Sequence, residues 1–150
     1  YLPALLASEN DIKSFSMTGQ RRDLNREKFK SENLSAVLNN PESNANKNLK
    51  YLRNAMDVRS ELKQFHPCSQ MKCLSKGRSD IVVIKRGKGP ESVFAIHNMT
   101  ENKINYQLND NDLPKIIDND FNTHDFLTST KYNCKNISLD PFQVIWLSAL

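Results

Sequence analysis

Arg21, Arg22 and Arg26 fall within six residues, together with Asp23 and Asn25, in a polar stretch that begins at Ser8. A guanidinium presents a fixed fork of N–H donors, which suits a phosphate or carboxylate better than a lysine ammonium does. By residue type alone the cluster reads first as a surface ion-pair network and second as an anion site. Its position favours attention to the second reading. Residues 8–26 have no helical or strand period and follow the apolar run of residues 1–7, which is short enough to be the end of a buried strand. A long polar loop after such a strand is a common seat of function, and α/β barrels build their sites on loops at strand C-termini.

The other chemistry-bearing residues form no comparable cluster. Cys68, Cys73 and Cys134 match no zinc spacing, and His66, His97 and His124 stand neither at ligand distance from them nor in a nucleophile motif. No metal or cofactor is therefore expected, and three cysteines read as reduced thiols of a cytoplasmic protein. The densest basic run, Lys72, Lys76, Arg78, Lys85, Arg86 and Lys88, carries no interleaved aromatic residue. It reads as the solvated edge of a strand–turn–strand unit, with no nucleic acid as partner. Trp146 lies in the last apolar run and is expected in the core.

The elements that must position these residues follow from the rest of the pattern. Hydrophobic residues make up 38% of the 150, charged residues 25%, and the net charge is +4, values of a globular chain rather than a disordered one. No apolar run is long enough for a membrane, and no secretory leader is evident; a start at Tyr1-Leu2-Pro3 reads as a chain opened inside a buried element. Ser31 is a candidate N-cap for a short helix with Leu34, Val37 and Leu38 on its apolar face. Asn40-Pro41 would end it and start the next helix, with Asn40 as N-cap. Leu49, Leu52, Met56 and Leu62, flanked by Tyr51, Ala55 and Val58, then keep a 3.6-residue period for some five turns, to about Lys63. After Phe65-His66-Pro67 the pattern changes to short β-branched and aromatic runs at residues 81–84, 93–96, 104–108 and 142–147. Gly87-Lys88-Gly89-Pro90 between the first two predicts an antiparallel hairpin. Residues 109–125, with five aspartates and little periodicity, read as loop. Residues 66–150 are thus expected to form an antiparallel β domain, a small sandwich.

Several pieces, in order, resemble the sucrose phosphorylase group of the α-amylase superfamily. They are Leu5-Leu6-Ala7-Ser8-Glu9-Asn10-Asp11, Thr18-Gly19, and Arg22-Asp23-Leu24-Asn25-Arg26-Glu27-Lys28-Phe29, the last similar to an Arg-x-Ile/Leu-Asn-Arg element. A leucine-periodic helix with Arg59 before Phe65-His66-Pro67 follows, and the closing pieces, Asp125-Phe126-Leu127-Thr128 and then Ile137-Ser138-Leu139-Asp140-Pro141-Phe142-Gln143-Val144-Ile145-Trp146-Leu147, resemble an Asp-Leu-Leu…Leu-x-Pro-Tyr-Gln-Val-x-Trp-Leu ending. The resemblance implies an α+β chain: residues 1–65 as the end of a (β/α)8 catalytic barrel and 66–150 as an all-β antiparallel C-terminal sandwich. It implies a retaining α-glucoside phosphorylase acting on sucrose or a related α-glucoside with inorganic phosphate as co-substrate. The two carboxyl groups that retention needs would come from earlier barrel strands, so this chain holds no catalytic residue and needs the remainder of the barrel. Arg22 carries over as the phosphate or acceptor contact, with Asn10, Asp11 and Asn25 as its companions at the site. An α-glucan hydrolase or transglucosylase of the same superfamily, and a non-catalytic β-sandwich binding module, are the alternatives.

Overall fold

The computed structural model describes residues 2–25, 28–113 and 121–148. They group into two compact units that divide between Asp57 and Val58.

The first unit is helical. Helix α1 (Leu2–Leu5) is a single turn where the apolar run suggested a strand end. Among the described residues no strand lies beside it, and the Leu6 N–H reaches the Leu2 carbonyl at 3.1 Å. A local turn satisfies backbone groups that a lone strand would leave open. Helix α2 (Ile12–Thr18) occupies part of the stretch that showed no period. Its ends explain it: Asp11 caps the N-terminus and Gly19, at φ 66°, closes the C-terminus in the left-handed region. A 3₁₀ turn over Arg21–Asn25 follows.

Helix α3 (Ser31–Asn39) has Lys30, not Ser31, at the cap position, without a side-chain cap bond. Asn40 does not cap the next helix either. Its Oδ1 accepts the Glu42 N–H at 3.0 Å, tightening the turn around Pro41. Ser43 takes over the cap by accepting the Asn46 N–H at 3.1 Å, so α4 (Asn44–Glu61) starts later than the Asn-Pro signal implied. Helix α4 has the anticipated five turns, but of its residues Ala45 alone is buried, while Leu49, Leu52, Ala55 and Val58 are half-buried.

The second unit is antiparallel. Strands β1 (Met71–Cys73), β2 (Ile81–Arg86), β3 (Val93–Asn98) and β8 (Val144–Ser148) form one sheet in the order β1-β2-β3-β8. Strand β4 (Ile104–Tyr106) pairs with β7 (Ile137–Leu139), and β5 (Asn122–His124) with β6 (Lys131–Asn133). The expected hairpin joins β2 to β3, in register from Ile81 opposite Asn98 to Arg86 opposite Val93. Gly87 turns its corner at φ 82°. Alternation along the strands decides the core. Ile81, Val83, Phe94, Ile96, Ile145 and Leu147 face inward and meet Leu108, Cys134, Ile137 and Leu139, all fully buried.

The final run departs from its sequence reading in two places. Phe142 is not in the strand; it follows Pro141 with φ 55° in a turn closed by the Gln143 N–H on the Asp140 carbonyl at 3.1 Å. Trp146 is not in the core. It alternates with buried Ile145 and Leu147, so it points to the opposite face, half-exposed and 4.6 Å from the Phe65 ring centroid.

Candidate functional site

The loop chemistry read from the sequence is built into a small scaffold in the first unit. The Asp11 backbone N–H donates to the Leu24 carbonyl at 2.7 Å, which ties the start of α2 to the 3₁₀ turn that carries Arg22. The Thr18 hydroxyl donates to Asp23 Oδ2 at 2.6 Å and accepts the Gln20 N–H at 3.2 Å, fixing the other end of the same turn. These bonds hold the 3₁₀ turn Arg21–Asn25 against α2, so Arg21 and Arg22 sit on an ordered turn rather than a free loop.

Asn10 and Asn25 line one cleft of ≈ 320 Å³ with Pro3, Ala4, Ala7 and Glu9. Asn10 and Asp11 border a second of ≈ 540 Å³ with Lys13 and Lys28. Arg22 is exposed and lines neither cleft, and among the described residues it makes no ion pair, so its guanidinium is available to an anion. Asp11 is committed to structure. Its Oδ1 accepts the Ser14 N–H at 2.9 Å and its Oδ2 the Ser14 hydroxyl at 2.6 Å. The Ser14 hydroxyl first, then its backbone N–H, hold the Asp11 carboxyl below its ordinary value. Arg26, the third arginine of the cluster, lies outside the described residues.

In the second unit the remaining candidates stand apart. His97 on β3 is half-buried and borders a cleft of ≈ 320 Å³ on the outer sheet face with Phe65, Met71 and Trp146; burial lowers its pKa. His66 accepts the Cys68 N–H at Nδ1, and His124 meets Phe126 edge-on at 5.0 Å. Among the described residues no group of histidine, cysteine and carboxylate side chains could hold a metal ion. All three cysteines are free, Cys68 and Cys73 exposed and Cys134 buried. Burial pushes the Cys134 thiol up to about 11, whereas the Ser75 hydroxyl beside Cys73 lowers that thiol.

Two structural features escaped the sequence reading. Asp125, read there as the end of the acidic loop and the first residue of Asp125-Phe126-Leu127-Thr128 but not as a buried group, is fully buried. Its Oδ1 accepts the N–H groups of Trp146 (2.7 Å) and Leu127 (3.2 Å), and its Oδ2 the Thr128 hydroxyl (2.7 Å). The Asp-x-x-Thr spacing at 125–128 is the one signal that could have found it. The second is the meeting of Lys72, Lys85 and Asp112, which no local pattern announces: Lys72 Nζ lies 2.8 Å from Asp112 Oδ1.

These units define a fold class. The chain has the fold of one part of several larger proteins of known structure. AmyP in complex with maltose matches with a TM-score of 0.58 at 15% identity, over 71% of this chain and 21% of that one. A MutB mutant in complex with the substrate sucrose matches with a TM-score of 0.56 at 13% identity, over 76% and 19%. Trehalose-6-phosphate hydrolase (TreA) of Bacillus licheniformis gives 0.51 at 19% identity, over 76% and 20%.

In sequence, the chain is similar to the glucosylglycerate phosphorylase of Allomeiothermus silvanus, with 33% identity over 101 residues. That match covers 67% of this chain, and the chain spans 18% of that relative's length. No protein-family model matches. The resemblance read from the residue pattern is thus upheld by sequence and by fold. Among the described residues no helix is long and apolar enough to cross a membrane.

Proposed function

We propose that this chain serves as the C-terminal part of a retaining α-glucoside phosphorylase, which transfers a glucosyl unit from sucrose or a related α-glucoside to phosphate. Residues 1–65 would complete a (β/α)8 barrel and residues 66–150 form its C-terminal β domain. The observation that carries the reading is the 33% identity to a glucosylglycerate phosphorylase, a phosphate-using enzyme by its name. The arginine turn supports it: Arg22 is presented on an ordered 3₁₀ turn, with Asn10 and Asn25 on one cleft beside it.

The chemistry asks for such a cation. Retention requires a carboxylate nucleophile and a carboxyl acid/base roughly 5–5.5 Å apart. Phosphate must then approach the anomeric carbon next to an anionic carboxylate, and a fixed guanidinium offsets the repulsion. Arg22 fills that role, Asn10 and Asn25 supply neutral hydrogen bonds, and Asp11 contributes by capping α2 and holding the turn. No aspartate or glutamate of this chain is assigned to the bond-breaking step. Three free cysteines accord with a cytoplasmic enzyme.

The test uses the complete enzyme, assayed on sucrose and on glucosylglycerate with and without phosphate. Phosphate-dependent release of glucose 1-phosphate is expected. Arg22→Ala should raise the KM for phosphate by about tenfold or more, the worth of a charge-assisted bond, and change phosphate-independent hydrolysis less than twofold. Release of free glucose at a rate indifferent to phosphate would replace this reading with a hydrolase of the same superfamily, the activity named for TreA.

A further inference from the structure

Strand β1 is one edge of the four-stranded sheet, and its pairing with β2 sets Lys72 directly opposite Lys85. Like charges on facing positions of an antiparallel pair repel. Lys85 sits where the core face of β2 runs out toward solvent, with its ammonium 5.3 Å from the Phe94 ring centroid and donating to the Asp112 main-chain carbonyl at 2.5 Å. Lys72 takes the Asp112 carboxylate. Lys88, from the β2–β3 turn, opens onto the same cavity, which measures ≈ 180 Å³ and is also lined by Gly87, Gly89 and Asn111.

Three lysines and one carboxylate therefore line the cavity. The Lys72–Asp112 pair is partly withdrawn from water on one side only, with side-chain exposures of 64% and 13%. One anionic charge cannot balance three cations that the strand register and the turn hold together. Surplus positive charge in a concave site with low-dielectric walls draws an anion of matching size. The cavity has room for a phosphate group, and Asn111, a residue with a neutral amide donor, also lines it.

We infer that the cavity between β1, the β2–β3 turn and residues 111–112 is an anion site that takes a phosphate group, as inorganic phosphate or a sugar monophosphate. It lies wholly in the β unit, on residues that the proposed reaction does not use, and would give phosphate or a phosphorylated product a second binding site. The proposal does not depend on the activity proposed above. The basic run in the sequence has a use under it: β1 and β2 bring Lys72 and Lys85 together, and the glycine turn adds Lys88.

The test is a residue-resolved NMR titration of the full chain at constant ionic strength, with inorganic phosphate, glucose 1-phosphate and, as ion control, sodium chloride. Saturable shifts are expected at the amides of Lys72, Lys85, Lys88, Asn111 and Asp112. Lys88→Gln, an exposed substitution that leaves the fold intact, should weaken the apparent Kd about tenfold. Equal affinity for both phosphates identifies the phosphate group itself as the ligand; preference for glucose 1-phosphate identifies the ester. Shifts that do not saturate, that chloride reproduces, or that Lys88→Gln leaves unchanged overturn the inference. Arg22→Ala should not affect these shifts, so failure here is distinct from failure of the phosphorolysis assay.

Discussion

Replacing Asp125 by alanine should undo the outer edge of β8. The carboxylate is fully buried and accepts three hydrogen bonds, two from main-chain N–H groups and one from a hydroxyl. The Phe126 N–H returns to the Trp146 carbonyl at 2.8 Å, and Asp125 bridges Leu147, so residues 125 and 126 act as a short substitute strand. Alanine keeps the backbone but strands the N–H groups of Trp146 and Leu127. Hydrogen bonds to a charged group contribute about 1.5–3 kcal/mol each, and the losses overlap because the donors share one carboxylate. A loss of roughly 3–5 kcal/mol follows, a large share of the 5–15 kcal/mol typical of a domain. Asp125→Asn keeps the oxygen that serves both amides, and the Thr128 hydroxyl can reverse to accept, so its cost should be about 1 kcal/mol. The chain has a single tryptophan, Trp146, whose own N–H is at stake, so urea unfolding followed by its fluorescence reports on the site directly. The midpoint in a thermal scan should fall by roughly 15 °C for Asp125→Ala. A change below about 1 kcal/mol for alanine, or equal costs for alanine and asparagine, would refute the edge-closing role.

Two further perturbations have signs fixed by the geometry. In the native chain at pH 8, iodoacetamide should modify Cys68 and Cys73, which are exposed, and spare buried Cys134 until denaturant is added; mass spectrometry counts the labels. The Cys134 pKa is raised from 9.0 to about 11, so the unfolded thiol gives up its proton first. Its contribution to stability should be complete below pH 9 and lost as pH rises from there toward 11, seen as a falling urea midpoint that Cys134→Ser reduces. Gly87→Ala should destabilise the β unit by about 1–3 kcal/mol in urea unfolding. Its φ is 82° and a Cβ would meet Gln64 Cγ at 2.9 Å.

The parts of the fold legible in the sequence are those set by short-range pattern. Helix α4 follows from its period, and the β2–β3 hairpin from two β-branched runs around Gly87 and Gly89, because helix and strand periods and positive-φ glycines act within a few residues. Helix α2 was hidden because its polar face and short length mask the period, leaving Asp11 and Gly19 as its only markers. Strand β1 was hidden among lysines, since an edge strand with every residue exposed has no apolar alternation to read.

The site divides in the same way. The sequence by itself supplied the arginine cluster, its neighbours Asn10 and Asn25, and the ordered pieces that resemble sugar phosphorylases. Only the tertiary structure decided what each polar group does. It buried Asp125 to close a sheet edge, sent Trp146 outward, and brought Asp112 to two lysines 27 and 40 residues away in the chain. The physical reason is common to all three. A hydrogen bond or an ion pair is specified by distance in space, and the chain fixes that distance only once strands have chosen their register and their buried face.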